Sequence, residues 1–212
     1  MDKTFESNQV TIAGTIASEF TLSHDIFGEN FYTANLSVER LSGTYDTVPI
    51  MVSERLFDVH HDCTERPVEI FGQLRTYNQH EGNKSKLVLS VFAREIKIID
   101  ELPDSSHTNS ISLDGYLCKD PVYRKTPLGR EIADLHLAVN RPYGKSDYIP
   151  CICWGRNAMF AESLKVGDHI RLSGRIQSRE YQKRISEDEA ETRTAYEVSV
   201  SRMESIGGED TE

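Results

Sequence analysis

Short segments of the chain alternate apolar and polar residues with a period of two. Strict alternation over about four to eight residues is typical of a β-strand with one buried and one exposed face. The pattern therefore predicts a protein built mainly from short strands. The clearest examples are Ile111 and Leu113; Leu135, Leu137 and Val139; Ile170 and Leu172; and Val198 and Val200.

This strand pattern occurs twice along the chain, with a shift of 101 residues that grows after an insertion. Five segments match in the same order, and Gly14 and Gly72 of the first copy align with Gly115 and Gly174 of the second. Ordered matches of this kind indicate a duplicated domain. The matching segments are 10–16 with 111–117, 36–40 with 137–141, 48–50 with 149–151, 68–74 with 170–176, and 87–91 with 196–200.

Each repeat predicts five short strands, and the second also predicts one helix. The helical segment, 157–164, lies between the third and fourth strands of its repeat. Interior strand glycines such as Gly72 and Gly174 mark bulges and sharp bends at the corners of small barrels. These features predict an all-β protein of two tandem OB-folds, each a five-stranded Greek-key barrel. A small β-sandwich is the alternative, which the position of the helix disfavours.

A polar segment separates the two repeats. A linker this short is expected to hold the two barrels close together. The sequence thus predicts a first OB-fold over 1–100, a linker over 101–108, a second OB-fold over 109–205, and a disordered acidic tail over 206–212.

The net charge of the 212-residue chain is −10, which at first argues against a nucleic-acid partner. The charge is uneven: residues 1–106 carry −8, residues 107–205 carry +1, and the last seven carry −3. The second repeat can therefore present a local basic groove. No apolar stretch approaches the ~18 residues of a membrane span, and the N-terminus does not resemble a secretory signal. The four cysteines are too few for a disulfide scaffold, so we expect a cytoplasmic protein.

Aromatic and basic residues are interleaved near the strand ends of the second repeat. Unpaired nucleic acid needs this combination, because bases stack on aromatic rings at ~1–3 kcal/mol each and cations contact the phosphates. Core filling explains any single strand aromatic equally well, but Tyr148 alternates out of phase with Ile149 and Trp154 precedes a Gly-Arg turn. The candidate DNA-binding residues are Tyr143, Tyr148, Trp154, Tyr181, Arg141, Lys145, Arg156, Arg175, Arg179 and Lys183.

Three stretches of the second repeat form a linked set: 147–156 (DYIPCICWGR), 164–168 (LKVGD) and 173–181 (SGRIQSREY). Through them, residues 109–204 resemble the bacterial single-stranded-DNA-binding protein family. The resemblance implies an OB-fold that stacks DNA bases on four aromatic positions. The family commonly has tryptophan or phenylalanine at these positions, so the three tyrosines imply an altered affinity. By motif position they are Tyr143, Tyr148, Trp154 and Tyr181.

The first repeat has lost most of these stacking positions. Thr47 aligns with Tyr148, and Ser53 aligns with Trp154. Because this barrel has a negative net charge, we expect it to be mainly structural and to pair with its twin or with a second chain. A weaker alternative is an auxiliary contact made by Tyr77, Arg75 and Lys84.

Motifs for catalysis or cofactor binding are missing from the sequence. It has no phosphate-binding loop, nucleophile elbow or paired zinc motif. The segment 60–63 (HHDC) lacks the second pair of ligands that tetrahedral zinc needs, so we interpret it as an exposed loop. Cys151 and Cys153 lack the spacing of a redox turn and are typical of small buried hydrophobes. We expect no enzyme, no metal and no cofactor.

Together, these features predict sequence-nonspecific binding of single-stranded DNA in replication, recombination or repair. Because the family usually works with four barrels, the resemblance implies a homodimer of this two-barrel chain. The expected partners are single-stranded DNA and replication or repair proteins, in a nucleoid-associated location without membrane contact. Two alternatives stay open: a primosomal or replication-restart accessory factor acting through protein contacts, and an OB-fold scaffold that does not bind DNA. RNA also stays open, because stacking does not distinguish the sugar.

Overall fold

The computed structural model describes residues 7–81, 84–184 and 190–207. The predicted strands are present in both repeats, together with one extra short strand in each. The first repeat contains β1 (Asn8–Ile16), β2 (Thr21–Ile26), β3 (Glu29–Glu39), β4 (Tyr45–Ser53), β5 (Pro67–Glu81) and β6 (Lys84–Ile98). The second contains β7 (Asn109–Leu117), β8 (Val122–Lys125), β9 (Glu131–Asn140), β10 (Ser146–Trp154), α1 (Arg156–Glu162), β11 (His169–Arg184) and β12 (Ala190–Ser205).

Each repeat closes into a five-stranded barrel. In the first, β1 pairs with both β3 and β5, β3 pairs with β4, and β5 pairs with β6. The parallel pair β4–β6 closes the barrel. In the second, β7, β9, β10, β12 and β11 follow the same order, closed by the parallel pair β10–β12. The prediction of two tandem OB-folds is confirmed, with α1 between the third and fourth strands of the second barrel.

The strand registers confirm the alignment of the repeats except in the last strand. Val10 pairs with Gly72 in the first barrel, and Ile111 pairs with Gly174 in the second. The alignment of 87–91 with 196–200 is wrong by two residues, because Val91 occupies the place of Val198. A slip of two residues keeps every side chain on the same face, so the period-two pattern cannot detect it.

Glycines stand where the long strands bend. The β5–β6 register shifts between Phe71 and Gly72, and the β11–β12 register shifts between Ser173 and Gly174. A Cβ atom at Gly72 would collide with the backbone carbonyl oxygen of Phe92. The predicted association of interior glycines with bulges is therefore confirmed.

The apolar residues of the period-two pattern fill the two barrels as one continuous core. The open end of the second barrel is closed by α1, which buries Ala158 and Ala161. In the first barrel, the corresponding loop contains turns instead of a helix and buries Val59. The two barrels thus share a core plan but differ in how one end is covered.

The barrels are joined edge to edge. Strand β1 pairs antiparallel with β7 from Asn8 opposite Leu113 to Ile12 opposite Asn109, which makes one continuous sheet of twelve strands. Backbone bonds extend the junction on both sides of this pair, from Ala13 to Thr108 and from Asp114 to Ser7. The expectation that the linker holds the barrels close agrees with this joint sheet.

A fully buried carboxylate of the second barrel is held by donors from the first. Asp147 forms an ion pair with Arg141 of its own barrel. From the first barrel, the Thr76 backbone N–H donates at 2.6 Å and the Arg75 guanidinium at 3.0 Å. A buried charge is tolerated only when it is paired and hydrogen-bonded, so this site ties the barrels together.

The reciprocal site lies in the first barrel. Asp46 is also fully buried and forms an ion pair with Arg40 of its own barrel. From the second barrel, the Ser178 backbone N–H donates at 2.6 Å and Arg175 at 3.1 Å. Asp46 and Asp147 occupy the same repeat position, so the junction has an approximate two-fold symmetry.

Within the described residues, no helix has the length and apolar character needed to cross a membrane. The predicted disordered tail lies outside them from residue 208 onward.

Candidate nucleic-acid interface

Two of the predicted stacking residues lie on the outer face of β10. Alternation along this strand buries Asp147, Ile149 and Cys151 and turns Tyr148 and Trp154 outward, with exposed fractions of 51% and 42%. Six residues at ~3.3 Å each place the two rings about 20 Å apart along one strand. The strand thus presents two separate aromatic platforms to solvent.

The turn after Trp154 depends on a glycine. Gly155 has a φ of 56°, a left-handed conformation that other residues adopt at a cost. This turn ends β10 and begins α1 at Arg156, whose side chain is exposed. It therefore places an exposed cation two residues after Trp154 in the chain.

The third aromatic, Tyr181, lies on the long β11–β12 hairpin, which projects beyond the barrel. Its partner in the register is Arg193, and the neighbouring Arg179 and Lys183 are exposed. Arg179 lies 3.7 Å from Glu197, whereas Lys183 forms no ion pair within the described part of the chain. The hairpin therefore carries one stacking ring with two cations beside it.

Tyr143 lies in a different place from the other three. It sits in a short 3-10 turn, Pro142–Gly144, between β9 and β10, with a φ of 63° and a fully exposed side chain. The turn lies at the junction, where Tyr143 lines a groove of the first barrel. Lys145, at the end of the turn, is exposed and has no ion-pair partner among the described residues.

Two of the predicted phosphate contacts have structural duties. Arg141 and Arg175 hold the buried carboxylates Asp147 and Asp46 at the junction. Burial lowers the pKa of the Arg175 guanidinium, and the nearby Arg40 acts in the same direction. The sequence pattern grouped both arginines with the interleaved aromatic and basic residues of the second repeat. It did not reveal that they bond Thr76 and Asp46 of the first barrel.

Sequence comparison places the second barrel among known domains. Residues 108–206 match the profile described as the single-strand binding protein family. These residues, which we call the family domain, are thus similar to that family over slightly less than half of the chain. Relatives named single-stranded DNA-binding protein include one from Oceanobacillus iheyensis, 37% identical over 81 residues, covering 35% of this chain and 50% of the relative. The protein named single-stranded DNA-binding protein A of Bacillus subtilis is 40% identical over 81 residues, covering 35% and 47%. The chain thus spans about half the length of the curated relatives it matches.

A solved structure shares the fold of both barrels. The wild-type single-stranded DNA binding protein from Thermus aquaticus superimposes with a TM-score of 0.71 at 22% identity, covering 94% of this chain and 93% of that one. Its similarity therefore extends over the first barrel as well as the family domain, and at this identity it concerns the fold.

Acidic side chains near the aromatic face of the family domain are neutralised locally. Asp134, on the strand beside β10, forms an ion pair with Arg124. Next to it, the half-buried His136 has a pKa below its ordinary value, because burial and Lys119 disfavour its charged form more than Asp134 favours it. The surface between Tyr148 and Trp154 therefore carries little net negative charge.

The equivalent positions of the first barrel hold no aromatics. Thr47 is exposed, whereas Ser53 is buried and donates a hydrogen bond to Glu29. Sequence reasoning missed a cation–π pair in this barrel, formed by Phe92 and Arg94 on β6. The guanidinium carbon of Arg94 lies 5.4 Å from the centroid of the Phe92 ring. The signal was available as an aromatic-basic pair two residues apart on one strand.

Cysteine and histidine clusters form no reactive centre in the described residues. Burial raises the pKa of the Cys153 thiol to about 12 and that of Cys151 well above its ordinary value, so both stay protonated. His61 bonds Asp58 in an exposed loop. No three ligand-type side chains converge as a metal site in 7–81, 84–184 or 190–207.

Proposed function

We propose that the protein binds single-stranded DNA without strong sequence preference and without a covalent step. The observation that carries this proposal is the pair of solvent-facing rings, Tyr148 and Trp154, on one outer strand of a family domain. Every nucleobase has a π-face, so stacking at ~1–3 kcal/mol per base is tolerant of sequence. The relatives of this domain carry names for the same ligand.

The contacts divide into stacking and charge. Tyr148, Trp154 and Tyr181 supply rings on the second barrel, and Tyr143 supplies a ring at the junction. Arg156, Arg179, Lys183 and Lys145 supply exposed cations for the phosphates. Arg141 and Arg175 serve indirectly, by fixing the junction and the strands that display the rings.

The only tryptophan, Trp154, gives a direct test. Oligo-dT is titrated into the protein at two salt concentrations while the Trp154 fluorescence and the anisotropy of labelled DNA are followed. We expect strong quenching that weakens with salt, because phosphate contacts release counterions. Unchanged fluorescence and anisotropy with an intact circular dichroism spectrum would reject the proposal and favour a protein-binding role.

The same proposal includes a homodimer that brings four barrels together, roles in replication, recombination or repair, and a nucleoid-associated location. Light scattering tests the assembly, with a mass of twice 24.1 kDa expected. A mass of one chain at all protein concentrations would remove the dimer but leave DNA binding untouched. RNA is compared by titrating oligo-U under the same conditions.

A further inference from the structure

The first barrel carries a groove on the face formed by β5 and β6. Its volume is about 710 Å³, within the ~300–1,000 Å³ range of small-ligand sites. Tyr77, Phe92 and Met51 line it from the first barrel, and Tyr143 lines it from across the junction. Three aromatic rings from two barrels thus face one concave surface.

A cation lies over one of these rings. Arg94 lies 5.4 Å from the centre of the Phe92 ring and donates only a long bond, of 3.4 Å, to Gln73. The side chain is exposed and forms no ion pair with any described residue. The Phe92 ring therefore carries an available positive charge over its face.

The groove is electropositive although its barrel is acidic by sequence. Arg75, Arg94 and Arg141 line it, and no aspartate or glutamate does so among the described residues. Asp147 binds Arg75 and Arg141 and so compensates one of these three positive charges.

A buried hydroxyl without a partner lines the same groove. Ser90 is 3% exposed, and its Oγ is the only buried side-chain oxygen or nitrogen in the described residues that lacks a hydrogen-bond partner. At the equivalent place in the second barrel, Glu197 accepts a hydrogen bond from Gln177. Leaving such a group unpaired is costly, so a ligand with a polar edge is favoured here.

We propose that this groove binds an unpaired nucleobase and its phosphate from the strand held by the second barrel. The base stacks against the Phe92 and Tyr77 side of the groove, its polar edge bonds Ser90 Oγ, and its phosphate contacts Arg94. Tyr143 borders the groove from the second barrel, so the DNA crosses the junction. This inference rests on the proposed function and assigns binding to residues outside the aligned positions Thr47 and Ser53.

A tryptophan placed in the groove tests the proposal without Trp154. The Phe92→Trp variant is made in a Trp154→Phe background, which keeps a stacking ring in the second barrel. Ile98→Trp in the same background is the matched control, because Ile98 is exposed about 20 Å farther along β6. Oligo-dT of about 30 nucleotides is long enough for two barrels at ~4–16 nucleotides each.

Quenching of the Phe92→Trp variant, together with unchanged fluorescence of the Ile98→Trp control, would support the proposal. If anisotropy shows that both variants bind DNA but the fluorescence of neither changes, the groove proposal is overturned while the proposed function stands. If wild type binds no oligo-dT and Trp154 is not quenched, the proposed function fails, and this inference fails with it.

Arg94→Gln provides a second readout that leaves the core intact. Because Arg94 is exposed, we expect the folded protein to keep its unfolding temperature and to lose about one unit of salt slope in binding long oligo-dT. Lys97→Gln, on the same strand, should keep the wild-type slope. Equal slopes for wild type and Arg94→Gln would overturn the phosphate contact.

Discussion

The two barrels have the same strand order and matching registers but display their aromatic residues on different faces. In the second barrel, Tyr148 and Trp154 stand on the third strand, whereas the first barrel has Thr47 and Ser53 there. In the first barrel, Phe92 instead lies on the fifth strand, facing a groove.

The difference shows which parts of a duplicated fold are constrained. A buried position must stay apolar because its neighbours are close-packed, so both copies keep the same interior pattern. An outward position has no such requirement, so the two copies differ there. The junction is an exception on the surface, because the carboxylates of Asp46 and Asp147 are buried between the barrels in both copies.

The largest expected effect is at this junction. Asp147→Ala leaves Arg141, Arg75 and the Thr76 N–H without their acceptor, which should cost about 3–5 kcal/mol in the free energy of unfolding. Asp46→Ala should cost a similar amount, because its site is the reciprocal one. Urea unfolding measures both, with Asp134→Ala as control, since that exposed ion pair contributes less than about 1 kcal/mol. A loss as small as the control's in either variant would contradict a junction that stabilises both barrels.

The second effect concerns the aromatic face. Trp154→Ala should weaken oligo-dT binding by about 1–3 kcal/mol, or roughly five-fold to 150-fold, because one base loses its stacking partner. Thr47→Ala, an exposed site on the equivalent strand of the first barrel, should bind as wild type does. Fluorescence anisotropy of labelled DNA gives both affinities. Equal losses in the two variants would remove the distinction between the faces.

A smaller effect is expected from single cations. Lys183→Gln should reduce the slope of log affinity against log salt by about one, because one phosphate contact is lost. Lys165→Gln is the control on the same barrel, since this exposed lysine lies in the loop between α1 and β11 rather than on the projecting hairpin. Titrations at four salt concentrations measure the slopes. An unchanged slope for Lys183→Gln would place the phosphates away from the hairpin.

The smallest effect is a pH dependence from one position that titrates in the second barrel but not in the first. The pKa of His136 is lowered in the folded state, chiefly by burial, whereas the equivalent residue of the first barrel is Asn35, which does not titrate. The unfolded chain takes up the proton first as pH falls, so stability is full above the ordinary pKa near 6.5 and declines below it. His136→Asn should therefore flatten the difference in urea midpoint between pH 7.5 and 5.5. A wild-type pH dependence that persists in this variant would assign it to other groups.

Much of the architecture could be predicted because burial leaves a period-two record in the sequence. The strand order, the position of α1 and the bulges near Gly72 and Gly174 all follow from that record and from the repeat. The register of the last strand did not, because a two-residue slip preserves the pattern of buried faces.

The roles of the charged residues were harder to predict, because their partners lie in the opposite barrel. Arg141 looked like a phosphate contact beside Tyr143, but it pairs with Asp147. The sequence did contain a signal for this pairing. An arginine and an aspartate six residues apart occur in both repeats, as Arg40 with Asp46 and as Arg141 with Asp147. A pair present even in the barrel that lacks aromatics at positions 47 and 53 points to a duty that both barrels share.

The pairing of β1 with β7 also has a consequence for synthesis. Strand β1 is made about 100 residues before its outer partner, because Asn8 pairs with Leu113. At ~5–20 residues per second, the nascent first barrel spends several seconds with an open strand edge and without the Arg175 donor for Asp46. Arg40, only six residues away from this carboxylate, is made before it and can hold it until the second barrel arrives.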